Sequence, residues 1–386
     1  MKNWLLVLLL LLLLLVLGAT GWWWNGLVGV ATAQHFPGSP FGSNDDIPGS
    51  PFCIEFINFP SLPSFPLTSC PIGVVMLGQM NSLLQQPNSD KTFLDGYAPR
   101  VTWMFLDTGT VDDTPIYDWT YIDALFTNAA AQTNNHKVML YVWTAEPPAH
   151  VFVAHGGVSV DTYIPYISGA YHTCPVPWDA VALNDLARFY YDLANHLIGG
   201  VALKNRPELA GIRSDFLGLK GLRDTGEVMV NDPAYVRAPF IAGILTSIQS
   251  CIDAFPNIPI YIEMHAMYDA TVSPRLDTAT IDAIAARFDG ISQPTVGVFT
   301  ENLNTTIPDM VSQTGINYLH AISHRSDMGF QAVAVFGSAA DMGTAIDFGF
   351  TNYGSRYFEI YRTNTNSANP AYGILLEYWQ NIVNAP

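Results

Sequence analysis

Short apolar segments alternate with longer amphipathic segments through most of this chain. Eight of the apolar segments have the length and composition of buried strands: Gly73–Gly78, Val101–Leu106, Val138–Trp143, Phe216–Leu222, Pro259–Met264, Gly290–Phe299, Gln331–Phe336 and Arg356–Tyr361. The alternation is typical of βα units, in which parallel strands lie side by side under a cover of helices. Eight strands within about 310 residues predict an α/β protein with a (β/α)₈ barrel, the TIM barrel, whose chemistry lies on loops at the carboxyl ends of the strands.

The amphipathic segments predict the helices between these strands. Trp119–Gln132 has helical periodicity, and Asp179–Ile198 places its apolar residues on one face with Asp179 as the N-cap. Later helical segments are less regular: Ile281–Phe288, Ile307–Ser323, Asp341–Phe348 and Pro370–Val383. A doubly wound sheet is the alternative architecture, but no glycine-rich phosphate loop follows the first strand.

The first 33 residues have the pattern of a targeting segment. Lys2 precedes an uncharged, leucine-rich stretch, and the next Lys or Arg is Lys91. Small residues around Ala19 and Ala31 provide cleavage sites for a signal peptide. Since the uncharged stretch continues through the tryptophans at 22–24, a retained membrane anchor is the alternative. Both interpretations predict a secreted or extracytoplasmic protein, in contact with a membrane only through this segment.

Residues 34–71 are rich in proline and glycine and lack helical periodicity. They predict a linker and a covering segment before a single barrel domain at residues 72–386. Export lets disulfides persist, and we predict the pairs Cys53–Cys70 and Cys174–Cys251 among the four cysteines. Buried free thiols are the alternative, and no Cys or His spacing is typical of a metal site.

The charge balance narrows the class of partner. The formal net charge is −17, from 16 Lys and Arg against 33 Asp and Glu, and there is no basic run. Because binding to phosphates needs clustered cations, this composition argues against a nucleic-acid partner. We therefore expect a neutral partner.

One run of motifs carries a resemblance to a known group of enzymes. Residues 116–123 read IYDWTYID and lead into a predicted helix, residues 137–143 read KVMLYVW, and residues 146–151 read EPPAHV. This order resembles the second and third βα units of clan-A glycoside hydrolases, especially family 42 β-galactosidases and relatives. The resemblance covers roughly residues 97–200, where Pro177-Trp178-Asp179 is also similar to barrels of this clan. It implies hydrolysis of O-glycosidic bonds by carboxylates, without a cofactor.

The same resemblance suggests a proton donor. Residues 217–227 read LGLKGLRDTGE, which looks like the end of the fourth strand in some poorly characterised clan-A barrels. It implies that Glu227 is the acid/base residue. Taken from the residues alone, Asp224-x-x-Glu227 is also a capping box at a helix start. The clan's second glutamate, at the end of the seventh strand, is missing from residues 332–341.

Glu359 is our first substitute for that missing carboxylate. Strand alternation places Glu359 on one side of the last strand with Tyr357 and Tyr361, and the alternative role is a structural ion pair with Arg356, Arg325 or Lys220. Three more glutamates near predicted strand ends are candidate substrate ligands: Glu263, Glu301 and Glu146. Ring side chains at or beyond strand ends are candidates for stacking on sugars: Trp103, Trp143, Trp178, His150, His265 and Tyr268. Packing is the alternative for each ring.

These observations predict an exported glycoside hydrolase acting on a neutral oligo- or polysaccharide. One alternative is a catalytically inactive barrel that binds carbohydrate at the cell surface, because the strand-seven glutamate is missing. Another is a surface structural protein, which the low charged fraction of 13% favours. The distance between Glu227 and its partner decides the mechanism, at about 5–5.5 Å for retention and about 6.5–9.5 Å for inversion.

Overall fold

Eight parallel strands form a closed barrel at the centre of the computed structural model. They are β1 Gly73–Gly78, β2 Gly96–Thr102, β3 Lys137–Trp143, β4 Leu209–Ser214, β5 Ile260–Glu263, β6 Gly297–Leu303, β7 Met328–Ala332 and β8 Tyr357–Tyr361. The barrel closes between β8 and β1, where Tyr357 lies opposite Gly73. The (β/α)₈ prediction is confirmed, and the doubly wound alternative is wrong.

The structure describes residues 73–78, 95–111, 114–132, 137–154, 158–159, 162–163, 166–167, 170–171, 173–219, 232–264, 267, 269, 274–288, 296–304, 328–332, 334–365, 371 and 378–379. All of them belong to the unit Ser64–Pro386. The predicted leader, linker and Cys53–Cys70 pair lie outside these residues. Within the described ranges, no helix is both long and apolar enough to span a bilayer.

Six helices accompany the described strands: α1 Trp103–Leu106, α2 Thr120–Ala130, α3 Ala180–Asn195, α4 Arg237–Ala254, α5 Leu276–Arg287 and α6 Ala339–Tyr353. The N-cap prediction at Asp179 is confirmed, since its Oδ1 accepts hydrogen bonds of 2.9 Å from the amides of Val181 and Ala182. Helix α4 was not predicted. The predicted helix Ile307–Ser323 lies outside the described residues, and so does most of Pro370–Val383.

Short hairpins, two-residue strand pairings and 3₁₀ turns lie at both ends of the barrel. The hairpin Asp107–Val111 and Thr114–Tyr117 follows α1, and a 3₁₀ turn at Ala149–Phe152 follows β3. Three two-residue pairings continue from that turn: Val153–Ala154 with Val158–Ser159, Thr162–Tyr163 with Cys174–Pro175, and Tyr166–Ile167 with Ala170–Tyr171. The opposite end carries a hairpin of Leu197–Ile198 with Val201–Ala202, and 3₁₀ turns occur at Leu203–Asn205 and Arg362–Thr365.

The fourth strand was predicted at the wrong place. It lies at Leu209–Ser214, whereas Phe216 and Leu219 of the predicted segment form an isolated antiparallel bridge in a turn. A charged Arg213 interrupts the apolar run of β4, and the hydrophobic pattern therefore favours the more apolar segment that follows it. The charge is tolerated because Arg213 meets carboxylates inside the barrel, which residue order alone does not show.

Aromatic side chains fill the lower part of the barrel interior. Ala98, Met139, Tyr261, Phe299 and Tyr357 form a separate buried cluster there. Two rings of this cluster pack closely, since Tyr261 and Tyr357 are 5.2 Å apart between ring centroids. The inward positions of neighbouring strands must be small to accommodate these rings, and the neighbouring glycines satisfy that requirement.

Replacing Gly297 by alanine is expected to destabilise the barrel by about 1–3 kcal/mol. The new Cβ would lie only 2.5 Å from Cδ1 of the Tyr261 ring, which the packed interior cannot displace freely. Chemical denaturation of the wild type and the variant measures this loss. Gly337→Ala is the matched control, because its Cβ would meet nothing closer than a carboxylate oxygen of Asp341 at 3.7 Å. Equal stability of the two variants would contradict the packing argument.

The predicted Cys174–Cys251 disulfide is wrong, because both cysteines are free and buried. The Cys174 thiol donates a hydrogen bond of 3.1 Å to the carbonyl of Ala145, in the loop after β3. Cys251 lies on α4 and interacts with the hydroxyl of Ser214 on β4. Burial raises the pKa of Cys174 to about 12, so this thiol stays protonated. Both cysteines are therefore buried free thiols, which is the alternative kept open above.

Candidate functional site

Arg213 lies at the centre of the barrel and is completely buried. Its guanidinium is held between two rings, with Cζ 3.9 Å from the centroid of Tyr141 and 3.8 Å from that of Phe299. Both distances fit cation–π contacts in a site that excludes water. The rings come from β3 and β6, so closure of the barrel fixes the position of the Arg213 charge.

Three glutamates from three different strands surround Arg213. Its Nη2 donates to Glu263 and to Oε1 of Glu301, the latter at 2.9 Å. Its Nη1 donates to Oε2 of Glu359 at 3.1 Å and to the amide oxygen of Gln331 at 3.2 Å. Strands β5 to β8 therefore each contribute one polar side chain to a single guanidinium, and buried charges are compensated in this way.

Arg100 of β2 lies on the more solvent-exposed side of Arg213 and its glutamates. Its Nη2 donates to Gln331 at 2.8 Å and to Glu301 at 3.3 Å. The Arg100 side chain is 23% exposed and that of Glu301 is 8% exposed, whereas Glu263 and Glu359 are completely buried. Glu301 and Arg100 thus lie at the solvent side of a charged layer whose deeper members are closed off.

A fourth carboxylate, Asp215, follows directly after β4. The Tyr141 hydroxyl lies 3.0 and 3.1 Å from the two oxygens of Asp215 and 3.3 Å from Glu263. Burial, and then the negative charges of Asp215 and Glu263, raise the pKa of Tyr141 well above its usual value. Tyr141 therefore remains a hydrogen-bond donor to these carboxylates.

We call this set of side chains the barrel cluster: Arg100, Tyr141, Arg213, Asp215, Glu263, Glu301, Gln331 and Glu359. It holds four carboxyl groups and two guanidinium groups. Burial raises the pKa of Glu359, although Arg213 and a hydrogen bond from the Tyr357 hydroxyl both lower it. A low-dielectric interior disfavours uncompensated charge, so the cluster can hold a proton on one carboxyl while another remains ionised.

The barrel cluster contains three of the predicted site residues. Glu263, Glu301 and Glu359 lie inside the barrel, and the alternation predicted for β8 is confirmed because Phe358 faces outward and stacks on Phe330. The ion-pair partner of Glu359 is Arg213, which the sequence analysis did not consider. The first candidate proton donor, Glu227, lies outside the described residues, and so do His265 and Tyr268.

Sequence reasoning missed the basic and tyrosine members of the cluster, and it also missed Asp215. A signal for them exists in β4, where Gly211, Arg213 and Asp215 occupy alternate positions and therefore share one side of the strand. Tyr141 and Arg100 occupy the corresponding positions of β3 and β2, since each lies opposite the other in the strand register. The signal is recognised only once the strand bounds are known.

The predicted ring side chains are dispersed. Trp103 is buried and stacks on Phe189 of α3 with ring centroids 5.1 Å apart, which is a packing role. Trp143 ends β3 and is half-buried, and Trp178 meets the ring of Tyr235 edge-on at 6.4 Å. Glu146 is half-buried in the loop after β3. None of these contacts joins the barrel cluster.

His150 belongs to a second polar pair at the carboxyl end of the barrel. Its Nε2 lies 3.4 Å from Oδ2 of Asp107, and its side chain is 20% exposed. Burial raises the pKa of Asp107, and the nearby His150 opposes this shift. The pair links the connection after β2 to the turn after β3. Within the described part of the chain, no group of three or more His, Cys, Asp or Glu residues has a metal-binding arrangement.

Comparison with known proteins bears on the fold. No protein-family model matches the sequence, and no curated protein matches it. The structure is similar to an endo-1,4-β-mannanase from Rhizomucor miehei, with a TM-score of 0.51 and 8% identity over 81% of this chain and 95% of that one. A GH10 endoxylanase from a sugarcane soil metagenome gives a TM-score of 0.47 and 11% identity, over 80% of this chain and 97% of that one. A Leishmania donovani UMP synthase gives a TM-score of 0.41 and 9% identity, over 80% of this chain and 53% of that one.

At these identities the likeness concerns the fold. The chain has the (β/α)₈ barrel that the resemblance to clan-A glycoside hydrolases implied, and a glycoside hydrolase is among its structural neighbours. Family 42 is not singled out. What the chain does must therefore be argued from its own residues.

Proposed function

We propose that this protein is an exported glycoside hydrolase that cleaves O-glycosidic bonds of a neutral oligo- or polysaccharide. The convergence of Glu263, Glu301 and Glu359 on Arg213 carries the proposal, because it concentrates carboxyl groups in the carboxyl-terminal half of the barrel strands. That end of a (β/α)₈ barrel is where active sites lie. The likeness in fold to a mannanase barrel adds support. Export rests on the uncharged leader at residues 1–33.

Glycoside hydrolysis needs one protonated carboxyl group and one carboxylate on the two sides of the scissile bond. The barrel cluster supports both states, since its carboxyl groups outnumber its guanidinium groups. Glu301 is the better candidate for the carboxylate that meets the substrate, because it is the one glutamate of the cluster with any exposed surface, at 8%. Glu359 is buried, and its two oxygens accept from Tyr357 and Arg213. That geometry favours the ion-pair alternative for Glu359.

Glu227 remains our proposed proton donor. In chain order, Glu227 lies between the end of β4 at Ser214 and the start of α4 at Arg237. Catalytic residues of (β/α)₈ barrels commonly come from connections that follow a strand. The proposal for Glu227 continues to rest on the sequence resemblance, since its side chain lies outside the described residues.

The proposed activity is tested by incubating the wild-type protein with a panel of aryl glycosides and with neutral polysaccharides, mannan and xylan included. We expect release of product by the wild type and a fall of about 10²–10⁴-fold in kcat/KM for Glu227→Gln on natural substrates. The loss should be smaller on aryl glycosides with good leaving groups, because these need less protonation. Equal activity of the two proteins would refute the role of Glu227.

A second candidate is a barrel that binds carbohydrate without cleaving it. The specific observation is that β7 supplies the neutral Gln331 to the cluster where clan-A enzymes have a glutamate nearby. This candidate predicts that calorimetry detects binding of an oligosaccharide while no product forms during prolonged incubation. Glu301→Gln would then change the affinity for the oligosaccharide, and neither protein would form product.

A further inference from the structure

We propose that Arg213 is a positioning residue that keeps Glu301 ionised and holds it at the open side of the barrel cluster. The inference deepens the proposed function, on which its catalytic meaning rests. Its physical content, the ionisation and placement of Glu301, concerns the protein alone.

The first step is a charge imbalance inside the barrel. Asp215, Glu263, Glu301 and Glu359 face two guanidinium groups. Three of these four carboxyl groups contact Arg213 directly, and the fourth, Asp215, is connected to it through Tyr141. Burying an unpaired carboxylate costs several kcal/mol or makes the group take up a proton. The cluster therefore has to distribute limited positive charge among competing carboxyl groups.

The second step is that Glu301 accepts hydrogen bonds from two guanidinium groups, whereas its buried competitor Glu359 accepts from one. Oε1 of Glu301 accepts hydrogen bonds from Arg213 at 2.9 Å and from Arg100 at 3.3 Å. Glu359 accepts from Arg213 and from a neutral tyrosine, and burial raises its pKa. Glu301 also keeps partial contact with solvent. Both differences favour ionisation of Glu301 over that of Glu359.

The third step is that Arg213 cannot move away from this arrangement. The rings of Tyr141 and Phe299 lie on its two faces, and both rings are buried. Its charge therefore stays between the deep glutamates and Glu301. A charge held in place in this way needs no rearrangement when the reaction begins. The charged and titratable groups that face Glu301 come from five strands: Arg100, Tyr141, Arg213 with Asp215, Glu263, and Glu359 with Tyr357.

The experiment follows the titration of Glu301 itself by ¹³C NMR of the full chain labelled at the glutamate side-chain carboxyl carbons. The chain contains eight glutamates, and single Glu→Gln variants assign their signals. In Arg213→Gln we expect the Glu301 midpoint to rise by about one pH unit or more, because one of its two guanidinium partners is gone. Arg213→Lys keeps the positive charge, and in this variant the Glu301 midpoint should rise by less than half as much. An unchanged midpoint in a folded Arg213→Gln would overturn the proposal.

Arg188→Gln on the exposed face of α3 is the matched control, since Arg188 pairs with Asp192 at 3.9 Å near the surface. It should leave the Glu301 midpoint unchanged. If Arg213→Gln does not fold, Glu359→Gln decides the question with Arg213 intact. Removing one competing charge should then lower the Glu301 midpoint, and an unchanged or higher midpoint would overturn the proposal.

The Glu301 midpoints are measured without turnover, so they distinguish a failure of the proposed function from a failure of the role proposed for Arg213. If the wild type hydrolyses no substrate but the midpoints move as expected, the proposed function fails and the effect of Arg213 on Glu301 stands. If the wild type is active, the acid limb of its pH profile for kcat/KM should move in the same direction as the Glu301 midpoint in each variant. A structural role alone would lower activity without moving that limb.

Discussion

Glu301→Gln is expected to lower kcat/KM by about 10³-fold on a substrate that the wild type hydrolyses, while the protein stays folded. Glutamine keeps the size and one hydrogen-bond acceptor of Glu301 but removes the negative charge that lies between Arg100 and Arg213. That charge is what a carboxylate supplies to an oxocarbenium-like transition state. Steady-state kinetics on the best substrate of the panel measures the loss, with a thermal melt of each protein alongside.

Glu208→Gln is the matched control for this prediction. Glu208 precedes β4 at the opposite end of the barrel and pairs with Arg206 at 2.9 Å. The substitution is chemically identical, so it reports what a lost carboxylate costs away from the proposed site. We expect less than a twofold change in kcat/KM for this control. Comparable losses in the two variants would show that Glu301 acts on stability rather than on the reaction.

Arg213→Met is expected to lower the free energy of unfolding by about 3–5 kcal/mol at neutral pH. Methionine fills most of the space between Tyr141 and Phe299 but leaves Glu263 and Glu359 without their buried cation. Urea denaturation of the wild type and the variant measures the difference. Arg188→Met, at the exposed pair with Asp192, is the control and should cost less than about 1 kcal/mol.

The loss in Arg213→Met should depend on pH with a definite sign. Burial raises the pKa of Glu359 in the folded protein, so folding favours its protonated form. The stability from this group is present below the pKa of the unfolded chain and is lost as pH rises through the folded value. Without Arg213 that effect grows, and the variant should lose less stability near about pH 4.5 than near about pH 7.5. A loss independent of pH would contradict the assignment of Arg213 as the compensating charge.

Much of the fold could be predicted from hydrophobic periodicity. Seven of the eight strands overlap their predicted segments, because buried strands and amphipathic helices follow local rules of spacing. The overlap is only two residues for β2 and for β7, and most of the segment predicted as the second strand forms helix α1. Strand β4 is the exception, since its inward Arg213 and the following Asp215 break the apolar run. Its misplacement and the omission of the cluster's central residue have the same cause.

The candidate site was only partly predictable. Glu263, Glu301 and Glu359 were found because each is a carboxylate on or just after an apolar strand. Their roles were not, since a glutamate at such a position is equally suited to catalysis and to an ion pair. The rank of Glu301 above Glu359 follows from exposure and from two guanidinium partners, both of which are properties of the closed barrel.

The sequence by itself determined the class of fold, the helices with clear periodicity, the N-cap at Asp179 and the inward side of β8. These features depend on neighbours within a few residues, where backbone geometry sets which side chains share a face. Only the tertiary structure decided that Arg213 gathers glutamates from β5, β6 and β8, and that Cys174 and Cys251 remain apart. Those contacts join residues far apart in the chain, and closure of the barrel alone brings them within hydrogen-bonding distance.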